Sequence, residues 1–170
     1  MKKILVVLLT LVVCFSAIAC GAESGDVRKI ETGELSFEIP SDWIDDSDDE
    51  GLAYSNSAAT CGVLVSRHDL SDLPQKEIQK IATEFAEHVI ESNKKEISDV
   101  KKEKIEIDNT VAIRIDYNMN YSDGSTTKEI KIIAISQDDY LNNITFIIEN
   151  GGEQSKSKEI LEKIIKSIQL

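Results

Sequence analysis

Two runs that alternate apolar and polar residues, Ile113 to Tyr117 and Ile130 to Ile135, stand on either side of Asp123-Gly124. This hairpin constrains the fold more than any other feature of the chain. A two-residue Asp-Gly turn matches the right-handed twist of the strands it joins. It predicts that Tyr117 faces Ile130, Ile115 faces Ile132 and Ile113 faces Ala134 on one side of the ribbon, with Asp116 meeting Lys131 on the other. Ile133 and Ile135 make the second side apolar as well, as in a sheet covered on both faces.

The rest of the chain supplies partners for that hairpin. Leu35, Phe37 and Ile39 alternate with Ser36 and Glu38, and Pro40 ends the strand. Leu52 to Asn56 and Cys61 to Arg67 read as further strands. A later one places Ile144, Phe146 and Ile148 on one face and Thr145 and Ile147 on the other. Leu73-Pro74 opens a helix in which Ile78, Ile81, Ala82, Phe85 and Val89 recur at helical spacing, while Lys76, Glu77, Lys80, Glu84, Glu87 and Glu91 form a solvated opposite face. After the break at Asn150-Gly151-Gly152, a closing helix from about Ser155 carries Ile160, Leu161, Ile164, Ile165 and Ile168 on one stripe. Strands and helices do not alternate as in a parallel sheet. The expected class is α+β, an antiparallel β-sheet flanked by helices, with one helix on each face or both on one.

The N-terminus has a different character. Lys2 and Lys3 precede an apolar run from Ile4 to Ile18, which ends in Ala17-Ile18-Ala19 before Cys20. This is the layout of a secretory signal. The run falls short of the roughly 20 apolar residues needed to cross a bilayer. With Cys20 directly after the small residues, the segment resembles a bacterial lipoprotein signal, although Ala17 stands where that family usually has leucine. Ala17-Ile18-Ala19 also satisfies the ordinary A-x-A rule for a freely secreted product. The expected organisation is a signal peptide over 1–19, a lipidated cysteine and tether over 20–26, and one α+β domain over 27–170. The resemblance implies diacylglycerol and palmitate on Cys20, and a location on the extracytoplasmic face of the cell membrane. Two or three acyl chains hold durably where one does not.

Charge and cysteine content narrow the partners. Nineteen basic residues stand against 31 acidic ones, a net charge of −12. Removing Lys2 and Lys3 makes the mature chain more acidic still, which disfavours nucleic acid, since phosphate binding needs a clustered positive field. The acidity reads first as solubility. Cys61 lies in a strand-like run, where a lone thiol serves as a small buried hydrophobe. With Cys20 free rather than acylated, a Cys20–Cys61 disulfide is the alternative in an oxidising compartment.

Candidate sites are few. In Asp45-Asp46-Ser47-Asp48-Asp49-Glu50-Gly51, the residues Asp46, Asp48, Glu50 and Gly51 mimic the early positions of a calcium loop, but Ser57 stands where a bidentate glutamate is required and the flanks are extended. The cluster reads as a solvated loop, with a weak cation site on Asp46, Asp48 and Glu50 as the alternative. His68 and His88 sit in different elements without zinc-ligand spacing. No G-x-S-x-G elbow and no glycine-rich phosphate loop occur. Trp43, Tyr54, Tyr117 and Tyr121 are too scattered for a stacking platform, and Trp43 reads as core.

Leu35-Ser36-Phe37-Glu38-Ile39-Pro40-Ser41-Asp42-Trp43 is similar to the opening strand of Mog1/PsbP-type domains, and Ile160-Leu161 to Ile164-Ile165-Lys166-Ser167-Ile168 is similar to their last helix. The resemblance implies an α/β/α sandwich and a non-enzymatic accessory role, with no shared active site to transfer. The expected function is therefore a membrane-anchored binding or accessory domain without cofactor or catalytic residues. Its partner would be a protein or a small molecule. The alternatives are a cation-binding module at the acidic loop and a secreted enzyme whose site is assembled from distant residues.

Overall fold

The computed structural model describes residues 26–170 apart from Glu50 and 150–153. The signal segment, Cys20, Glu50 and the Asn150-Gly151-Gly152 break lie outside the described residues. Strands β1 (Val27–Thr32) and β2 (Leu35–Pro40) form a two-stranded sheet of their own. A seven-stranded sheet contains β3 (Ile44–Asp45), β4 (Leu52–Ser55), β5 (Cys61–Asp69), β6 (Ile97–Ile107), β7 (Thr110–Asn120), β8 (Thr126–Ile135) and β9 (Tyr140–Glu149). Its order is β3-β4-β5-β9-β8-β7-β6 and every pairing is antiparallel. The helices are α1 (Gln75–Ser92) and α2 (Gln154–Ser167).

Topology follows from one crossover. The chain leaves the sheet after β5, crosses one face as α1, re-enters at the far edge as β6, and meanders back through β7 and β8 until β9 closes against β5. α1 therefore lies over β7 and β8. Pro74 is its N-cap, immediately before the helix rather than inside the first turn. Ile78, Ala82 and Ala86 are its buried residues, and Ile81, Phe85 and Val89 pack only partly. Two alanines at i and i+4 let the helix sit close to the strands. On the opposite face, α2 and the β1–β2 ribbon bury Leu161, Ile164, Ile165, Leu35, Phe37 and Ile39 against Val63, Ile132, Ile144 and Phe146. One helix per face, with an apolar cluster under each, resolves the two arrangements the sequence left open.

The hairpin register differs from the expectation by one residue. Tyr117 is opposite Glu129, Ile115 opposite Lys131 and Ile113 opposite Ile133. The reason is the turn: Gly124 N–H donates to Tyr121 C=O at 3.0 Å, Tyr121 N–H donates to Ser125 C=O at 2.9 Å, and Gly124 has φ +85°. This is a three-residue loop that ends in a left-handed glycine, not a two-residue one. A one-residue slip moves a whole set of side chains to the other face. Ile113, Ile115 and Tyr117 thus lie under α1 while Ile130, Ile132 and Ala134 lie under α2. Asp116 pairs with Ile130, and its carboxylate holds Arg114 at 2.7 Å instead of Lys131. A two-residue turn does occur at Asp108-Asn109, both at positive φ, between β6 and β7.

Candidate functional site

The two faces of the large sheet are closed to different degrees. α1 covers β7 and β8, and the face it shares continues past it over β9, β5 and β4 without another layer among the described residues. Directly opposite residues on antiparallel strands share a face, so the uncovered surface can be read from the register. One row runs Ser55, Gly62, Ile147, Glu129, Tyr117. The next runs Ala53, Leu64, Thr145, Lys131, Ile115, and an outer row places Glu149 beside Thr127.

Along these rows the surface changes in character. Ile115 and Tyr117 belong to the core beneath α1. A polar ledge follows. The Tyr117 hydroxyl donates to Glu129 Oε2 at 2.5 Å with both residues buried, and Lys131 Nζ donates to Thr145 Oγ1 at 2.8 Å. Burial, and then the hydrogen bond to the Glu129 carboxylate, push the Tyr117 phenol well above its ordinary pKa. Burial lowers the pKa of the Lys131 amine, against the opposing pull of Glu129. Beyond the ledge the small residues Gly62, Ala53 and Ser55 leave a depression. Gly62 is required there by space, because a Cβ would stand 2.9 Å from the Tyr54 carbonyl oxygen of β4.

That depression is an open groove of about 910 Å³. Leu64 and Ile147 lie along its floor, the β7–β8 turn from Tyr121 to Thr127 closes one end, and Asp46 of the β3–β4 connection stands at the other. Leu64 and Tyr121 are each 45% exposed, large apolar surfaces with nothing over them among the described residues. Three carboxylates line the groove, Asp46, Asp123 and Glu149, and among the described residues no lysine or arginine does. The Ser125 hydroxyl and amide both donate to Asp123, and these bonds lower its pKa.

Of the residues singled out from sequence, Asp46, Tyr54, Cys61 and Tyr121 border the groove and the others fall elsewhere. Cys61 is 3% exposed on the α2 side; burial pushes its thiol up to about 11 against a smaller opposing bond from Ser157. It is a packed hydrophobe, as expected of a lone strand cysteine. Trp43 and Tyr54 are core. His68 and His88 are exposed and on different elements, with the His68 ring 6.4 Å from Phe85. In the acidic loop, Asp46 Oδ2 accepts from the Ser55 hydroxyl at 3.0 Å and Asp48 Oδ1 accepts from the Gly51 amide at 3.2 Å, both of which tie the loop to itself and to β4. Among the described residues no three His, Cys, Asp or Glu side chains are grouped to hold a metal. No described helix is long and apolar enough to cross a membrane. The groove was missed from sequence because only the register places Gly62, Leu64 and Ile147 together; the usable signal was Gly62, Leu64 and Ser66 alternating with the buried Cys61, Val63 and Val65.

No family model matches the chain, and no curated protein sequence matches it. Solved structures do. The cyanobacterial PsbP protein of Synechocystis sp. PCC 6803 superposes with TM-score 0.58 at 12% identity, over 89% of this chain and 97% of that one. LpqN of Mycobacterium tuberculosis, described as involved in cell envelope biogenesis, gives 0.52 at 10% identity over 85% and 91%. A Mog1 variant gives 0.50 at 14% identity over 85% and 95%. At such identities the likeness establishes the fold: this chain has the Mog1/PsbP-like α+β architecture its opening strand and last helix suggested.

Proposed function

We propose that the protein is a lipid-anchored, extracytoplasmic accessory domain that works by binding a partner in the open groove rather than by catalysis. The observation that carries this reading is the asymmetry of the sheet: one face is sealed, and half of the other is left as a groove with exposed Leu64 and Tyr121. Exposed apolar surface of this kind marks a contact site. The groove's carboxylates come from three separate segments, and those of Asp46 and Asp123 accept from the hydroxyls of Ser55 and Ser125. Support for the anchor comes from the Lys2-Lys3, apolar, Ala17-Ile18-Ala19-Cys20 order. Support for an envelope role comes from the likeness to LpqN.

Two measurements test it. Incorporation of labelled palmitate into wild-type protein but not into Cys20→Ser, together with retention of wild type in the membrane fraction, is the expected result for the anchor. A wild-type product found unlabelled and fully released would refute it. For the groove, a photo-crosslinking amino acid at position 64 should yield a discrete adduct in the envelope. The same probe at Val111, which is 63% exposed at the β6–β7 end, should not. Equal adducts from both positions, or none from 64, would remove the groove as the working surface.

A further inference from the structure

Resting on the reading of this face as the binding surface, we infer that the groove's occupant is an extended polypeptide segment of the form cation–x–apolar–x–cation. Three independent properties of the groove lead there. The first is its direction. It runs across the strands from the β4 side to the β8 side, three inter-strand spacings or about 14 Å. An extended chain rises about 3.3 Å per residue, so residues i and i+4 of a bound segment are about 13 Å apart and point the same way. Five residues fill it.

The second is the floor. Leu64 and Ile147 lie midway, bordered by Gly62 and Ala53, whose small side chains leave room for one apolar side chain of the visitor. The exposed ring of Tyr121 rises at the turn end. The third is charge. Asp46 stands at one end and Asp123 and Glu149 at the other, with no basic side chain lining the groove among the described residues. Like charges facing each other across an interface repel wrong partners, and opposite ones set register. An acidic peptide or an anionic headgroup would meet three carboxylates here. A segment with lysine or arginine at i and i+4 meets them at both ends, while its central side chain covers Leu64. Its two intervening side chains point away from the sheet and carry no requirement.

Fluorescence anisotropy on the detergent-solubilised full chain tests this with three labelled peptides that share a Ser-x-Ser frame: Lys-Ser-Leu-Ser-Lys, Glu-Ser-Leu-Ser-Glu and Lys-Ser-Ser-Ser-Lys. The first should bind, the second should not, and the third should bind at least fivefold more weakly than the first. Affinity for the first should fall as salt is raised from about 50 to 500 mM, because rim charges are screened within a few ångströms at the higher value. Asp46→Asn should weaken it about two- to fivefold, the range of an exposed ion pair. Glu149→Lys should weaken it further, and Leu64→Ala should remove the preference for leucine over serine. Glu106→Lys, the same charge change on the exposed β6 edge, should leave binding unaltered. Equal binding of the acidic peptide, or equal losses from Glu149→Lys and Glu106→Lys, would overturn the inference. If an adduct still forms from position 64 in the envelope while the basic peptide fails to bind, the groove is a working surface for a partner of other chemistry; if the adduct is absent as well, both readings fall.

Discussion

The sheet has a sealed face and an open one, and the same seven strands supply both. On the sealed side, α2, the β1–β2 ribbon and Trp43 lie over a cluster that includes Phe37, Ile132, Ile144 and Phe146, each no more than 1% exposed. Two of its arginines are also paired with carboxylates. Arg114, 14% exposed, holds Asp116 at 2.7 Å and Glu162 of α2 at 2.8 Å, and Arg67 holds Asp138 at 2.7 Å while lying over the Tyr140 ring. On the open side, α1 sits on alanines, and its charged tie to the sheet is Lys102 to Glu87 at 3.2 Å, both largely solvated. Stability is thus concentrated on one face, which frees the other to keep apolar surface in water. Substitutions should therefore separate the two faces cleanly.

The largest contrast is between two apolar residues on neighbouring strands. Phe146 is fully buried at the centre of the sealed face, and Phe146→Ala should cost about 3–5 kcal/mol, the usual sum of lost transfer energy and residual cavity. Leu64→Ala on the open face should change stability by less than about 0.5 kcal/mol. Urea unfolding of both variants measures the difference. A Leu64→Ala loss comparable to that of Phe146→Ala would mean that the groove is closed by something that makes it part of the core.

The next contrast is pH. The folded-state pKa of Cys61 is raised to about 11, from an ordinary value near 9, by burial. A group raised on folding contributes stability that is complete below its unfolded pKa and is lost as pH rises through the folded one. The window is therefore about pH 9 to 11, and the loss is about 2 kcal/mol. Tyr117, also raised by burial, acts in the same direction above about pH 10. Lys131 acts in the opposite one, since its pKa is lowered by burial and deprotonation relieves that cost. Thermal melts across the window in wild type and Cys61→Ala isolate the thiol: the wild type should lose more than the variant. Parallel curves would show that the thiol is already open to water.

The charged ties rank third. Arg114→Ala leaves Asp116 and Glu162 facing each other without their cation and should cost about 2 kcal/mol. The Glu162 carboxylate, now held below its ordinary pKa chiefly by the hydrogen bond from Arg114, should then titrate higher. Glu87→Gln on the open side should cost under about 0.5 kcal/mol. Unfolding curves at neutral pH compare the two. Similar costs would mean that α1 is held electrostatically as firmly as α2, and that the two faces do not differ in this respect.

Most of the architecture was legible in the chain because half-buried strands must alternate. Leu35 to Pro40, Cys61 to Arg67 and Ile144 to Ile148 declare themselves that way, and both helices show an apolar stripe. Three strands were not read from the chain, the two-residue β3 and two longer ones, β6 and β1, that carry a physical reason. β6 is a long edge strand, Lys and Glu rich and exposed along most of its length, with a bulge between Ser98 and Lys101. Edges of this kind are charged to resist pairing with other chains, so they carry no apolar alternation. β1 belongs to a two-stranded ribbon with one side in solvent. The hairpin was found but slipped, since Asp123-Gly124 serves equally well as a two-residue turn and as the end of a three-residue one. The groove depends on strand register, which the alternation of Gly62, Leu64 and Ser66 along one strand hints at but does not fix.

Two glycines give the finest comparison, because both have positive φ and they differ only in what surrounds them. Gly124 (φ +85°) ends the turn at the rim of the groove, and a Cβ there would meet nothing within 4 Å. Gly33 (φ +58°) turns β1 into β2 on the sealed side, and a Cβ there would stand 2.4 Å from the Arg67 guanidinium. Gly124→Ala should therefore cost only the conformational term, about 1 kcal/mol. Gly33→Ala carries the same term and must also move Arg67, which now bonds Asp138 and Asn142. The Asp138 carboxyl is kept low although burial works against it, because the Ser136 hydroxyl and the Arg67 guanidinium outweigh that burial. Displacing Arg67 removes one of those donors and should bring the cost to about 2 kcal/mol, with part of the excess lost as pH falls from about 4 through the lowered folded-state pKa of Asp138. Denaturant midpoints at pH 7 and at about pH 2 for both variants read this directly. Equal costs at pH 7 would mean that Arg67 moves aside freely and that the sealed face owes its closure to apolar packing alone.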